Sequence, residues 1–116
     1  MLIGTDTPNP YVMYGFSIHE EMSFFEQAGY MRTEILRIAT LEAARFLDQV
    51  GEFGVVREGA RADLILLDAD PEADLAALRT PAGVMAAGRW HDAAALAQTL
   101  AHLEAQAAAS RNSAAP

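Results

Sequence analysis

The stretch Glu58-Gly59-Ala60-Arg61-Ala62-Asp63-Leu64-Ile65-Leu66-Leu67-Asp68-Ala69-Asp70-Pro71 decides how the chain is read. Four consecutive apolar residues, Leu64 to Leu67, stand between a Gly-containing turn and an Asp-Pro stop. A short apolar run bounded in this way is the pattern of a strand covered on both faces, so Ala62 to Asp68 is expected as a strand. Similar short runs lie around it: Phe53 to Val56, Val84 to Ala87 and a brief one near Trp90, punctuated by glycines and without helical periodicity. Between them, Glu72 to Leu78 has room for one or two helical turns. Asp92 is placed to cap an Ala-rich helix whose Leu96, Leu100, Leu103 and Ala107 form a narrow apolar stripe, expected to dock on the protein's own body. Ser110 to Pro116 reads as a frayed polar tail.

N-terminal to Gly51 the period changes. Met1-Leu2-Ile3-Gly4-Thr5-Asp6 reads as an apolar strand that breaks off at a Gly into polar residues. Pro8 and Pro10 hold Thr7 and Asn9 out of the α region, which makes Thr7 to Gly15 an extended loop. Ser17 with Glu20 forms a capping box, Ile18, Met22 and Phe25 share one helix face, and Gly29 stands where a C-terminal cap belongs. Thr33 is expected to cap a second helix through Ala39, and Thr40 a third from Leu41 to about Asp48. The expected architecture is therefore α/β: three helices, a small antiparallel or mixed sheet, and a terminal helix from about Asp92.

Composition narrows the functions open to such a chain. With 116 residues it is too short for a (β/α)₈ barrel, which needs at least about 200 residues. Hydrophobic residues at 52% and charged residues at 21% suit a folded core and exclude the low-hydropathy mix of a disordered chain. The formal net charge of −8 repels phosphate backbones and anionic membranes, so neither nucleic acid nor membrane is expected as a partner. All eight basic residues are Arg, which excludes a Schiff-base, P-loop or carbamylated lysine, and the absence of Cys excludes thiol nucleophiles and Cys-based zinc sites. No apolar run suits a membrane span or a signal segment, and a cytoplasmic location is expected.

Asp6 is the foremost candidate for chemistry. A carboxylate just past a strand end, beside a Gly, is where α/β barrels place catalytic groups, and it is equally the chemistry of an ordinary turn. His19 falls in the first turn of the first helix, as a substrate contact or as a surface or capping histidine. Asn9, Tyr11 and Tyr14 lie in the preceding loop, as substrate contacts or as solvent-facing and packing residues. Asp68, Asp70, Glu72 and Asp74 alternate like a calcium loop but lack its Gly at the sixth position and Glu at the twelfth, which leaves a solvated turn.

Gly4-Thr5-Asp6-Thr7-Pro8, Gly15-Phe16-Ser17-Ile18-His19-Glu20-Glu21, Ala28-Gly29 and Thr40-Leu41-Glu42-Ala43-Ala44-Arg45 resemble the last barrel strand, loop and helices of the amidohydrolase superfamily. Gly51 to Gly54, Glu58 to Leu64, Asp68 to Pro71 and Val84 to Arg89 are similar to its C-terminal tail, nearest the imidazolonepropionase-like and Xaa-Pro-dipeptidase-like branch. The resemblance covers roughly Leu2 to Trp90. It implies a fold in which residues 1–50 end a TIM barrel, 51–91 supply the C-terminal strands of a small β-sandwich, and 92–116 form a terminal helix and tail.

By that resemblance, Asp6 takes a proton from water on a divalent metal, zinc foremost, and passes it to the leaving nitrogen of an amide, cyclic amide or dipeptide. His19, Asn9 and Tyr11 would border a small-molecule or short-peptide substrate, and Asp63 would fix a turn in the sandwich. The family's His-x-His pair, its central carboxylate or carbamylated Lys and its two later His ligands have no counterparts, because His19, His91 and His102 are too scattered. Asp6 is then the one candidate metal ligand. The isolated chain is expected to hold no metal cofactor and to be inactive, since a catalytic cation needs three or more protein ligands. The alternative from another class is a non-catalytic remnant or a subunit completing a partner that carries the missing barrel. Open strand edges point to self-association or a partner chain.

Overall fold

The computed structural model describes residues 1–6 and 15–113, with side chains as far as 111. The helical half comes first. Helix α1 (Ser17–Gln27) forms where Ile18, Met22 and Phe25 recur on one face, and Met22 is buried. Its end is a full Schellman motif: Gly29 N–H donates to Glu26 O at 3.0 Å and Tyr30 N–H to Phe25 O at 3.1 Å. Gly29 makes this possible by adopting φ +95°. The accompanying apolar contact is edge-on packing of the Phe25 and Tyr30 rings, with centroids 5.2 Å apart.

The expected caps are displaced. Phe16 occupies the N-cap of α1, so Ser17 is already helical and does not form the capping box with Glu20. The next helix, α2 (Arg32–Arg37), starts before Thr33, because the Glu34 carboxylate accepts the Met31 N–H at 2.9 Å and secures the chain there. No break follows at Thr40. The helix passes through a π-helical turn, Ile38–Glu42, straight into α3 (Ala43–Phe46). The Thr40 hydroxyl donates to Leu36 O at 2.7 Å instead of capping a new helix. The expected second and third helices are thus one continuous helical run.

The strands are shorter and fewer than the apolar runs suggest. Strands β1 (Leu64–Leu66), β2 (Gly83–Ala86) and β3 (Arg89–Asp92) form one antiparallel sheet in sequential order, with Ile65 opposite Val84 and Val84 opposite His91. Phe53 to Val56 makes only an isolated bridge, Phe53 to Val50, between glycines at positive φ. Met1 to Ile3 joins no ladder among the described residues; Ile3 packs on the helical core instead. A two-residue turn, Ala87-Gly88, links β2 to β3 with φ +48° and +79°, the left-handed pair a tight hairpin requires.

The core is helical, and the sheet lies outside it. Met22, Ile35 and Leu75 are its buried centre, and Leu75 comes from a 3₁₀ helix (Leu75–Arg79) lying against α1. The Asp74 carboxylate caps that turn by accepting Ala76 N–H. Arg32 ties the two together, pairing with Glu26 at 2.6 Å and donating to Ala73 O. In contrast, Ile65 and Leu66 are each 55% exposed, so the run Leu64 to Leu67 is not covered on both faces. Phe24, Phe46, Val50, Val56 and Trp90 also face solvent.

Asp92 starts the last element as expected. Its Oδ1 accepts Ala95 N–H at 2.8 Å, and helix α4 (Ala93–Ser113) follows. The helix meets β2 and β3 only near its start, and Leu100 and Leu103 are 47% and 54% exposed. Leu96, at that start, is half-buried, so the stripe docks on the body only at its first residue, and Ser110 to Ser113 belong to the helix rather than to a frayed tail.

Candidate functional site

Asp6 ends the first described segment in the left-handed region, φ 51°, with its side chain in solvent. Asp tolerates that conformation better than most residues, and a single αL residue turns the chain sharply. The segment is held two residues earlier. Gly4 N–H donates to Glu21 Oε1 at 2.9 Å, and Ile3 packs against the helical core, so α1 fixes the backbone from which Asp6 projects. The other carboxylate oxygen, Glu21 Oε2, is buried without a hydrogen-bond partner among the described residues.

Glu21 is the site residue that sequence reasoning passed over. Its signal is positional: it lies at i+3 from Ile18 and i+4 to Phe25, on the apolar face of an amphipathic helix. A carboxylate there must find a buried donor or lose its hydration without compensation.

His19 is placed elsewhere. It lines a cleft of about 200 Å³ between α1 and the 3₁₀ helix with Met22, Ser23, Glu26, Asp74 and Arg79, and Asp6 is not among the lining residues. Burial, and then the Arg79 guanidinium, hold its pKa below the usual imidazole value. His19 is therefore neutral near pH 7, able to donate or accept one hydrogen bond but not to act as a cation. Asn9, Tyr11 and Tyr14 lie outside the described residues, as does the loop expected over Thr7 to Gly15 apart from its last residue. His91 sits in β3, and His102 is bonded to Gln106 at 3.0 Å on α4.

The two remaining acidic features are structural. Asp63 Oδ1 accepts Ala87 N–H at 2.7 Å across the hairpin turn, and its other oxygen meets Arg61. The Ala87 N–H foremost, then Arg61, lower its pKa. In the 68–74 run, Asp70 accepts Glu72 N–H at 2.9 Å in a local turn, and Asp74 caps the 3₁₀ helix. Among the described residues no three His, Cys, Asp or Glu side chains are grouped to hold a metal ion. The donor set therefore does not fit a catalytic metal within these residues.

Residues 1–91 match the amidohydrolase family, and the chain belongs to it. The family is generally metal-dependent. Among solved structures, the chain is similar to a Xaa-Pro dipeptidase with methionine bound in its active site, at 24% identity and TM-score 0.59, over 64% of this chain and 18% of that one. A protein of Bifidobacterium longum assigned as a prolidase matches at 38% identity and TM-score 0.59, over 63% of this chain and 18% of that one. A further amidohydrolase matches at 23% identity and TM-score 0.59, over 64% and 19%. This chain thus spans about a fifth of the length of the solved structures it matches. No curated protein matches it. Among the described residues no helix is long and apolar enough to cross a membrane.

Proposed function

We propose that this chain supplies the C-terminal part of a cytoplasmic amidohydrolase that hydrolyses a small amide, cyclic amide or dipeptide C–N bond. Residues 1–50 complete the end of its TIM barrel and 51–91 its β-sandwich, and Asp6 is the catalytic carboxylate. The observation that carries the reading is the anchored turn at Asp6: Glu21 holds Gly4, and the chain then presents an exposed carboxylate in a stretch that matches the family. In that role Asp6 removes a proton from the water that attacks the carbonyl carbon. It then returns the proton to the nitrogen as the C–N bond breaks, so one carboxylate serves as base and then as acid. In this reading the catalytic cation is held by the remainder of the enzyme, and the isolated chain is inactive.

The test uses the intact enzyme or a complemented assembly: this chain mixed with a polypeptide carrying the remaining four fifths or so of a related amidohydrolase. Amide or dipeptide hydrolysis should appear only in the mixture, and Asp6→Asn should lower kcat by roughly 10²–10⁴-fold while leaving assembly intact. Activity that survives Asp6→Asn refutes the assignment. A second reading, a subunit that completes a partner carrying the barrel, is favoured by the exposed apolar residues of β1 and of the helices. In-frame His-x-His coding sequence upstream of Met1 would decide for a single enzyme, and a start codon with its own ribosome-binding site for the subunit.

A further inference from the structure

The cleft of about 200 Å³ between α1 and the 3₁₀ helix has no part in the chemistry assigned to Asp6, which does not line it. We propose that this cleft binds a small linear zwitterion, a molecule whose carboxylate and ammonium are separated by an apolar stem of several carbons. Such a site goes beyond the amidohydrolase reading and does not depend on it.

The cleft is polarised along its length. Helix α1 contributes His19 and Glu26, seven residues and about 10 Å of helix apart. The 3₁₀ helix and its cap contribute Arg79 and Asp74, which a rise of about 2 Å per residue also sets about 10 Å apart. The two elements are matched end to end. Arg32 pairs with Glu26 and donates to the carbonyl of Ala73, so Glu26 lies at the Asp74 end. The Arg79 guanidinium acts electrostatically on His19, so it lies at the other.

The two ends carry opposite open charge. At the first, the carboxylates of Glu26 and Asp74 stand against the single guanidinium of Arg32, which leaves one negative charge in excess. Glu26 Oε1 is taken by Arg32 Nε and Asp74 Oδ1 by the Ala76 N–H, and a carboxylate with one oxygen engaged can still accept from an ammonium through the other. At the second end, Arg79 has neither a hydrogen bond nor an ion pair among the described residues, and the neutral His19 adds no charge. Between the ends Met22 and Leu75, both buried, form an apolar floor. A simple anion or amine would satisfy one end only, whereas a zwitterion satisfies both and lays its stem on the floor. The volume is that of about seven waters at about 30 Å³ each, which suits a short carbon chain with its two end groups.

The test is titration of the full chain near pH 7 with δ-aminovalerate, followed by proton NMR of the imidazole rings. Of the three histidines only His19 lines the cleft, so its resonances should move saturably while those of His91 and His102 stay in place. Exposed charge pairs are individually weak, so a dissociation constant on the order of 1 mM is expected. L-norvaline has the same atoms with its charges adjacent, and valerate and pentylamine carry one charge each; all three should bind roughly three- to fivefold more weakly. Arg79→Gln, at an exposed position, should weaken δ-aminovalerate by a similar factor with the circular dichroism spectrum unchanged. No saturable shift at His19 up to about 50 mM overturns the proposal. So does equal affinity for any of the three control molecules, or binding that survives Arg79→Gln undiminished.

Discussion

Replacing Gly54 by Ala is expected to cost about 2–5 kcal/mol, because two separable penalties meet at that residue. Gly54 stands at φ +74°, and a side chain in the left-handed region costs about 1–2 kcal/mol. A Cβ there would also lie 2.6 Å from Thr40 O and 2.9 Å from Thr40 C, both backbone atoms of the π turn. Backbone cannot swing aside as the end of a long side chain can, so overpacking adds about 1–3 kcal/mol. Gly59 is the control: its φ is +85°, but nothing lies within 4 Å of a Cβ placed there. Gly59→Ala should therefore show the conformational penalty alone. Thermal unfolding followed by circular dichroism should place the Tm of Gly54→Ala below that of Gly59→Ala by roughly 4–8 °C for each kcal/mol of clash. Equal Tm values would refute the reasoning and show that the 51–59 segment does not bear on the helical run at Thr40.

Ala87→Asn should raise stability by about 0.5–1 kcal/mol, since Asn-Gly suits the two-residue turn in which Ala87 now sits at positive φ; chemical denaturation would measure it, and a loss of stability would count against the turn geometry. Asp63 has its pKa lowered in the folded chain, so its contribution is present above the ordinary value of 3.8 and is lost as pH falls through the lowered one. Asp63→Asn should therefore flatten the acid limb of the Tm profile in that window, and an unaltered limb would contradict the role given to the Ala87 contact. His19 is also lowered, so the folded chain loses stability as pH falls below the ordinary 6.5, and His19→Gln should remove that dependence. Calorimetry of the isolated chain with zinc should show at most weak binding; micromolar or tighter stoichiometric uptake would overturn the donor-set argument.

Local chemistry made much of the chain legible. The face of Ile18, Met22 and Phe25, the Gly29 stop, the Asp92 cap, the strands around Ile65 and Val84, and the turn-fixing role of Asp63 all follow from interactions within a few residues or from one side chain's hydrogen-bonding needs. The resemblance carried by residues from Gly4 to Arg89 is likewise written in the chain, and the match over residues 1–91 bears it out.

Tertiary contacts decided the rest. Whether Met1 to Ile3 and Phe53 to Val56 become strands depends on a neighbouring strand to receive their backbone groups, and no local signal supplies one. Thr40 reads as a cap only if the helix ends before it. The run continues because the π turn keeps the backbone bonded on both sides. Glu21 acquires its role from Gly4, seventeen residues away, and His19 its lowered pKa from burial against a helix some sixty residues on. The sequence by itself determined where α1, the strands around Ile65 and Val84, their hairpin and the start of α4 lie, because those preferences act within one or two turns of chain. Which apolar faces are covered, and which carboxylate anchors Asp6, was settled by packing between segments distant in sequence, where a residue's surroundings are not its neighbours in the chain.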